Sequence, residues 1–423
     1  MLVDFIFKNS YSFKDENVFS MEKDSGNEFH DINTFECGFK KIELLKSSII
    51  YGANGSGKSN FIKSIKGMKN LILYSVIPLG AMNDIKSFKF IEGYTDPTKY
   101  EVTIIIDSIK YRYGFEVENN EVSKEWLYRT VQKESCLFFR ESSNFEDIKL
   151  YSTFKKEESI KNKVSKTSLF LTICKMFNNE IADKIWTWFD ELEILTIQEQ
   201  NNAAKTFEIL EKKPIIKNSI LDYLKKADIG IEDFNYEFES SKSDAGVLES
   251  LKSELVKNIK VGFVTQKISN FNTKHKLYDY DGNELDKTIE IPFEEYQSDG
   301  TKKLFALLGP IFNVLDKGGV LFIDEIDSRL HCAIVRFVLD MFNSIDLNKN
   351  NAQLICNTHD VLLLEENIRR DQIWFVDKNN KGISELYSLS DFNGIRKDNN
   401  LLKRYLLGVF GAIPFKNLNV DGE

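Results

Sequence analysis

The chain has no CxxC pair: its five cysteines (Cys37, Cys136, Cys174, Cys332, Cys356) are scattered, and their number is odd. That pattern argues against a disulfide framework or a cysteine zinc site, and reads as buried free thiols in a reducing cytoplasm. Proline is scarce, 6 in 423 residues, which leaves little room for rigid linkers. There is no long apolar run either. The longest, Leu71 to Met82, is interrupted by Pro78 and falls short of the ~20 residues needed to span a bilayer. The first nine residues mix acids and bases in a strand-like pattern, unlike a secretory leader. A cytoplasmic protein without a membrane domain of its own is the expectation. A net charge of −9 means that the chain as a whole is not a polycation for nucleic acid, although local patches remain open.

What is present suits a well-packed α/β protein. Hydrophobic residues make up 42% of the chain, with 33 Phe and 16 Tyr, and the length fits two domains. Leu2 to Phe7 alternates as a strand, and a second strand is expected near Phe35 to Phe39. Lys46 to Tyr51 runs apolar into a glycine-rich loop, and Lys58 to about Leu73 reads as a helix. Val102, Ile104 and Ile106, then Tyr111 to Val117 and Glu121 to Tyr128, alternate as an antiparallel meander turning at Asn119-Asn120. From about Glu158 to Lys260 the pattern is charged and mostly helical, with Trp186, Trp188 and Phe189 in one amphipathic stretch and reversals near Asn201-Asn202 and Lys213-Pro214. A hairpin at Asp281-Gly282 follows, then a helix from about Ser298, a buried strand at Val320 to Ile323, a helix from about Arg329, and strands at Gln353 to Cys356 and Ile373 to Val376.

Gly52-Ala53-Asn54-Gly55-Ser56-Gly57-Lys58-Ser59 matches the Walker A pattern in full. Glycines let backbone N–H groups turn onto phosphates, and a helix N-terminus adds positive potential. Lys58 is placed to reach the β/γ-phosphates of ATP, Ser59 to hold Mg²⁺, and Asn60 to extend the site. Val320 to Ile323 followed by Asp324-Glu325 is the Walker B pattern. Asp324 would complete the Mg²⁺ shell and Glu325 would take a proton from, or orient, the attacking water. Taken alone, such a strand end is as readily a simple capped strand. Residues 58 and 324 lie far enough apart that a large insertion must divide the core.

Tyr296-Gln297-Ser298-Asp299-Gly300-Thr301 resembles a degenerate ABC signature. Ser298, the Gly300 amide and the new helix N-terminus form a second anion site, or an ordinary helix cap. Asp327 to His331 follows Walker B as a D-loop does. His359, three residues beyond an apolar strand, would sense the γ-phosphate or brace the water, whereas His30, His275 and His331 read as structural. Lysines at 155–156, 161–166, 212–213 and 225–226 are interleaved with Glu157, Glu158 and Glu211. They read as solvated helix faces, with a nucleic-acid surface as the alternative.

The Asn54 to Asn60 wording and the order Walker A, insertion, signature, Walker B, His resemble the ABC-like heads of SMC proteins. More narrowly, Asn9 to Lys14, Asp324 to Asp327, Asn357 to Asp360, Arg404 to Gly408 and Phe410 to Pro414 resemble anti-phage, abortive-infection ATPases of the RloA/AbiL type, relatives of the overcoming-lysogenization-defect (OLD) ATPases. The resemblance implies an ABC-type P-loop head with an antiparallel β subdomain and a large inserted helical lobe. The expected division is 1–157 (first part of the head), 158–262 (inserted arm) and 263–423 (second part of the head). It further implies a homodimer or higher even oligomer, each head closing its ATP with the partner's Ser298 and Gly300, and a separate nuclease or toxin effector. An SMC-like DNA-maintenance ATPase is the alternative. Two departures stand out. No glutamine lies between Lys58 and Arg129 to serve as a Q-loop. Too few residues follow His359 for the Toprim nuclease that OLD proteins append.

Overall fold

The computed structural model describes residues 1–77, 81–197, 199–201, 203–227, 230–238, 268–394 and 400–413. The Pro78 break, Asn202, the last part of the expected arm (239–262) and Pro414 lie outside the described residues. The chain divides into two units. The first is Met1–Thr196 with Val314–Ser328 and Val335–Glu423; the second is Ile197–Asn313 with Arg329–Ile334.

Two large sheets dominate the first unit, beside a two-stranded one that pairs Thr34–Glu36 with Glu43–Leu45. A seven-stranded antiparallel sheet runs in the order Ile148–Leu150, Glu134–Arg140, Glu121–Thr130, Ile109–Glu118, Thr98–Ile106, Leu2–Lys8, Asn17–Ser20. Two of its hairpins turn at Asp107-Ser108 and Asn119-Asn120, all four with positive φ, the backbone that two-residue turns between twisted strands require. A six-stranded sheet follows the order Glu193–Leu195, Val320–Ile323, Gln353–Asn357, Ser47–Tyr51, Ile373–Lys378, Ser384–Ser388, parallel except for the last pair. Its three central strands are buried at every residue, as expected of a parallel sheet covered on both faces.

The helix Lys58–Tyr74 joins the sheets. Phe61, Ile62, Ile65, Met68, Leu71 and Ile72 are fully buried along it at helical spacing. The Phe61 ring lies 5.8 Å from Phe7 and 5.1 Å from Phe19 on one sheet, and 6.2 Å from Phe322 on the other. One aromatic side chain therefore packs against both layers, in the first turn after the glycine-rich loop.

Residues 158–196, read from the sequence as the start of a helical arm, belong to the first unit. They form the helices Phe170–Met176 and Glu180–Glu191 and an edge strand, Glu193–Leu195, beside Val320–Ile323. Three residues are too few to show a period, so that strand is silent in the sequence.

The second unit holds helices Ala204–Lys212 and Ile216–Lys226 and a three-stranded antiparallel sheet, Asp233–Phe238, Ile268–Tyr278, Glu284–Pro292. Rings of Phe207, Phe234, Phe271, Phe293 and Phe305 pack at 4.1–6.1 Å. Gly309 lets helix Ala204–Lys212 approach closely: a Cβ there would stand 2.6 Å from Thr206 Oγ1. All five cysteines are unpaired. Among the described residues no helix is long and apolar enough to cross a membrane.

Candidate functional site

Strand order brings the motifs together. Strand Ser47–Tyr51 feeds the glycine-rich loop, and Gln353–Asn357 pairs beside it in parallel, Cys356 opposite Ile49. Val320–Ile323 follows next, with Ile323 opposite Cys356, and Ile373–Lys378 flanks the other side, with Phe375 opposite Tyr51. All four strands end at one edge. The carboxyl ends of parallel strands are where α/β folds place ligands.

The pocket there has a volume of about 230 Å³ and is lined by Asn54, Gly55, Gly57, Lys58, Ser59, Asn60, Glu325, His359 and Lys378. Gly55 and Gly57 have φ of 76° and 123°, a backbone L side chains rarely adopt. A Cβ on Gly57 would fall 2.6 Å from Ser384 Oγ and 2.8 Å from Ser12 Oγ, and one on Gly52 would fall 2.4 Å from the Val376 carbonyl. The hydroxyls of Ser12 and Ser384 hydrogen-bond at 2.8 Å, Ser384 also donates to the Ser56 carbonyl, and Asn60 Nδ2 donates to Ser12 Oγ at 2.9 Å. The loop is thus braced from behind, at Gly52 and Gly57, where only glycine fits.

Lys58 is buried, and its ammonium donates to the Gly52 carbonyl at 2.8 Å and the Ala53 carbonyl at 3.2 Å. Burial pulls its pKa down to about 8, against the opposing pull of Glu325, Asp327 and Asp324. The helix it opens runs for 17 residues with no side-chain cap, and Ser56 Oγ is buried without a partner among the described residues. A curled lysine, an uncapped helix start and an orphaned hydroxyl together fit a triphosphate.

The acidic side is fixed as firmly. Asp324 is buried and accepts from Asn357 Nδ2 at 2.6 Å. Glu325 sits at φ 52°, left-handed for a residue with a side chain, a conformation that costs about 1–3 kcal/mol. Its N–H donates to Asn357 Oδ1. The N–H of His359 donates to Asp327 Oδ2 at 3.1 Å. Burial, and then the nearby Lys58 charge, push the His359 imidazole below its ordinary pKa, so it is neutral at pH 7. The Asp324 carboxylate and the Ser59 hydroxyl are oxygen donors of the kind Mg²⁺ prefers.

The pocket therefore gathers Asn54, Gly55, Gly57, Lys58, Ser59, Asn60, Glu325 and His359, with Gly52 and Ser56 forming the body of the same loop and Asp324 directly following Val320–Ile323, one strand removed from the P-loop strand. Ser298 and Gly300 belong to the second unit. There Ser298 Oγ accepts the Thr301 N–H at 3.1 Å and so caps the helix Asp299–Lys317, while Arg329 pairs with Asp299 at 3.1 Å. The lysine clusters read as solvated faces meet carboxylates: Lys156 with Glu157, Lys161 with Glu158, Lys166 with Glu121, Lys212 with Glu208 and Lys225 with Glu232.

Lys378 was not legible as a site residue, because it closes an unremarkable strand whose place beside the P-loop strand depends on pairing alone. Ser12 and Ser384 share that difficulty. Asn357 gave a weak signal, a polar residue ending an apolar strand next to Thr358-His359.

A family model described as "AAA domain, putative AbiEii toxin, Type IV TA system" matches residues 47–365, from the strand before the glycine-rich loop to just past His359. The chain belongs to this family, and is a P-loop ATPase by class. It is also similar to the SMC head domain from Thermotoga maritima, at 14% identity, over 92% of this chain and 98% of that one, with a TM-score of 0.40. None of the curated proteins matches the chain.

Proposed function

We propose that the chain is an ABC-type ATPase that binds and hydrolyses ATP between two copies of itself, and serves as a nucleotide-driven switch in a cytoplasmic anti-phage, abortive-infection system of the RloA/AbiL kind. The observation that carries the hydrolytic reading is the meeting of Lys58, Glu325 and His359 on one pocket at the ends of parallel strands. Lys58 lies against the phosphates and neutralises charge developing on the γ-phosphoryl group. Glu325 takes a proton from the water as its oxygen bonds to the γ-phosphorus, and ADP leaves with the bridging oxygen. His359, uncharged, holds that water or a γ-oxygen. Ser59 and Asp324 would hold Mg²⁺, which would supply neutralisation of the phosphate charge. The partner copy's signature loop, with Ser298 and Gly300, closes over the nucleotide. Hydrolysis then opens the clamp and shifts the inserted lobe, which controls a separate nuclease or toxin effector. The family description, which names a toxin system, supports this direction.

Phosphate release compared between the native chain and Glu325→Gln tests the reading. Loss of turnover with retained ATP and a stabilised dimer is expected. A native protein that binds ATP but never releases phosphate would leave a nucleotide-gated scaffold instead. DNA binding that weakens steeply with salt would favour an SMC-like maintenance ATPase.

A further inference from the structure

The buried Asn357 contacts three consecutive residues of the acidic segment. Its Nδ2 donates to Asp324 Oδ1 at 2.6 Å, its Oδ1 accepts the Glu325 N–H at 2.5 Å, and its carbonyl accepts the Ile326 N–H at 3.1 Å. The chemistry leaves one orientation for the amide. A carboxylate only accepts and a backbone N–H only donates, so a side chain facing both must carry one donor and one acceptor. Aspartate has no donor when ionised, and leucine has neither group. What Asn357 holds is not ordinary backbone: Glu325 sits in the left-handed region, where a side chain persists only if its surroundings fix it. Two residues further on, the His359 N–H is tied to Asp327 Oδ2, so the strand that ends at Asn357 is fastened to the acidic segment at successive points.

We infer that Asn357 is a positioning residue for the reaction, setting the Mg²⁺-binding carboxylate of Asp324 and the aim of Glu325 with a single side chain. This inference rests on the ATPase reading above. Asn357 does not line the phosphate pocket. Its removal should therefore leave the P-loop's own grip intact and disturb only what depends on the two acids. Asn357→Leu, branched at Cγ like asparagine but without either polar group, makes that separation.

The experiment measures ATP affinity with and without Mg²⁺, and kcat and KM for phosphate release, in the full chain. Expected for Asn357→Leu are Mg²⁺-free ATP affinity within twofold of the parent, at least a tenfold loss of the tightening by Mg²⁺, and kcat down about a hundredfold with KM little changed. A variant that keeps kcat within threefold and responds normally to Mg²⁺ overturns the assignment. Should Asn357→Leu not fold, Asn357→Asp decides. It retains an acceptor for Glu325 but faces Asp324 with a second carboxylate, so the Mg²⁺ needed for half-maximal effect must shift at least tenfold; an unshifted value overturns the proposal. If the parent binds ATP without turnover, the hydrolytic reading fails, while the Mg²⁺-dependent affinities still decide Asn357.

Discussion

Two sets of buried charge in the first unit are treated in opposite ways. Arg140 and Glu125 are fully buried, and the chain itself supplies partners for both. Glu125 accepts the N–H groups of Phe170 and Leu171 at 2.7 and 2.9 Å and the Tyr113 hydroxyl at 3.0 Å. Arg140 donates to the carbonyls of Ser142, Ser143, Ser165 and Ser168. Lys58, by contrast, is buried against two carbonyls of its own loop, with a depressed pKa, glycines at positive φ beside it and an orphaned hydroxyl two residues away. The first set is closed and holds loops to a sheet. The second is open, and on the proposed reading a phosphate completes it. A buried charge thus marks structure when its own chain completes it, and marks a site when a ligand must.

The largest effect should come from breaking the closed set. Arg140→Met strands the Glu125 carboxylate and releases four carbonyls, so denaturant unfolding should show a loss of about 3–5 kcal/mol. Nucleotide affinity of the remaining folded protein should hold within twofold. A large loss of ATP binding at unchanged stability would erase the distinction between the two sets.

Lys58→Ala inverts that outcome. ATP affinity, measured by titration, should fall about a hundredfold, or ~2.7 kcal/mol, while the melting temperature stays level or rises, because a desolvated charge has been removed.

The pH dependence sharpens the comparison without a mutation. With its folded pKa lowered to about 8, Lys58 is charged in the free protein below that value and neutral above it. ATP needs the cation, so affinity should decline as pH rises through 8, approaching tenfold per unit, and binding above pH 8 should take up a proton, detectable by calorimetry in buffers of different ionisation heat. The stability sign is opposite. The unfolded lysine keeps its ordinary pKa of 10.5, so the group disfavours the native state below about pH 8, and that penalty is relieved as pH climbs from 8 toward 10.5.

The smallest effect belongs to Lys378. It lines the pocket, and burial lowers its pKa. Lys378→Ala should weaken ATP binding by about three- to tenfold, and no change would place its ammonium outside the nucleotide's reach.

The glycine-rich loop was readable because its chemistry is local: eight consecutive residues encode the turn, the lysine and the hydroxyl. The meander was readable for a similar reason, as alternating residues flank Asn119-Asn120. Glu193–Leu195 and Asn17–Ser20 were not, being strands of three and four residues whose existence rests on distant neighbours. Asp233–Phe238, with Phe234, Tyr236 and Phe238 at period two, carried a strand signal inside a region dominated by helical charge patterns. Ser384 offered none, since its role lies in reaching Ser12 and Ser56 across most of the chain.

By itself the sequence determined that a phosphate-binding turn would form, that two carboxylates would end an apolar strand, and that a histidine would follow another, because each depends on residues adjacent in the chain. Only the tertiary structure decided which of these would meet. Placing Gln353–Asn357 between the P-loop strand and the acidic strand brings His359 to Lys58 and Asn357 to Asp324, and placing Ile373–Lys378 on the far side adds Lys378. Strand pairing across hundreds of residues is settled by the burial of whole faces and the register of the ladder, quantities that no short stretch of sequence contains.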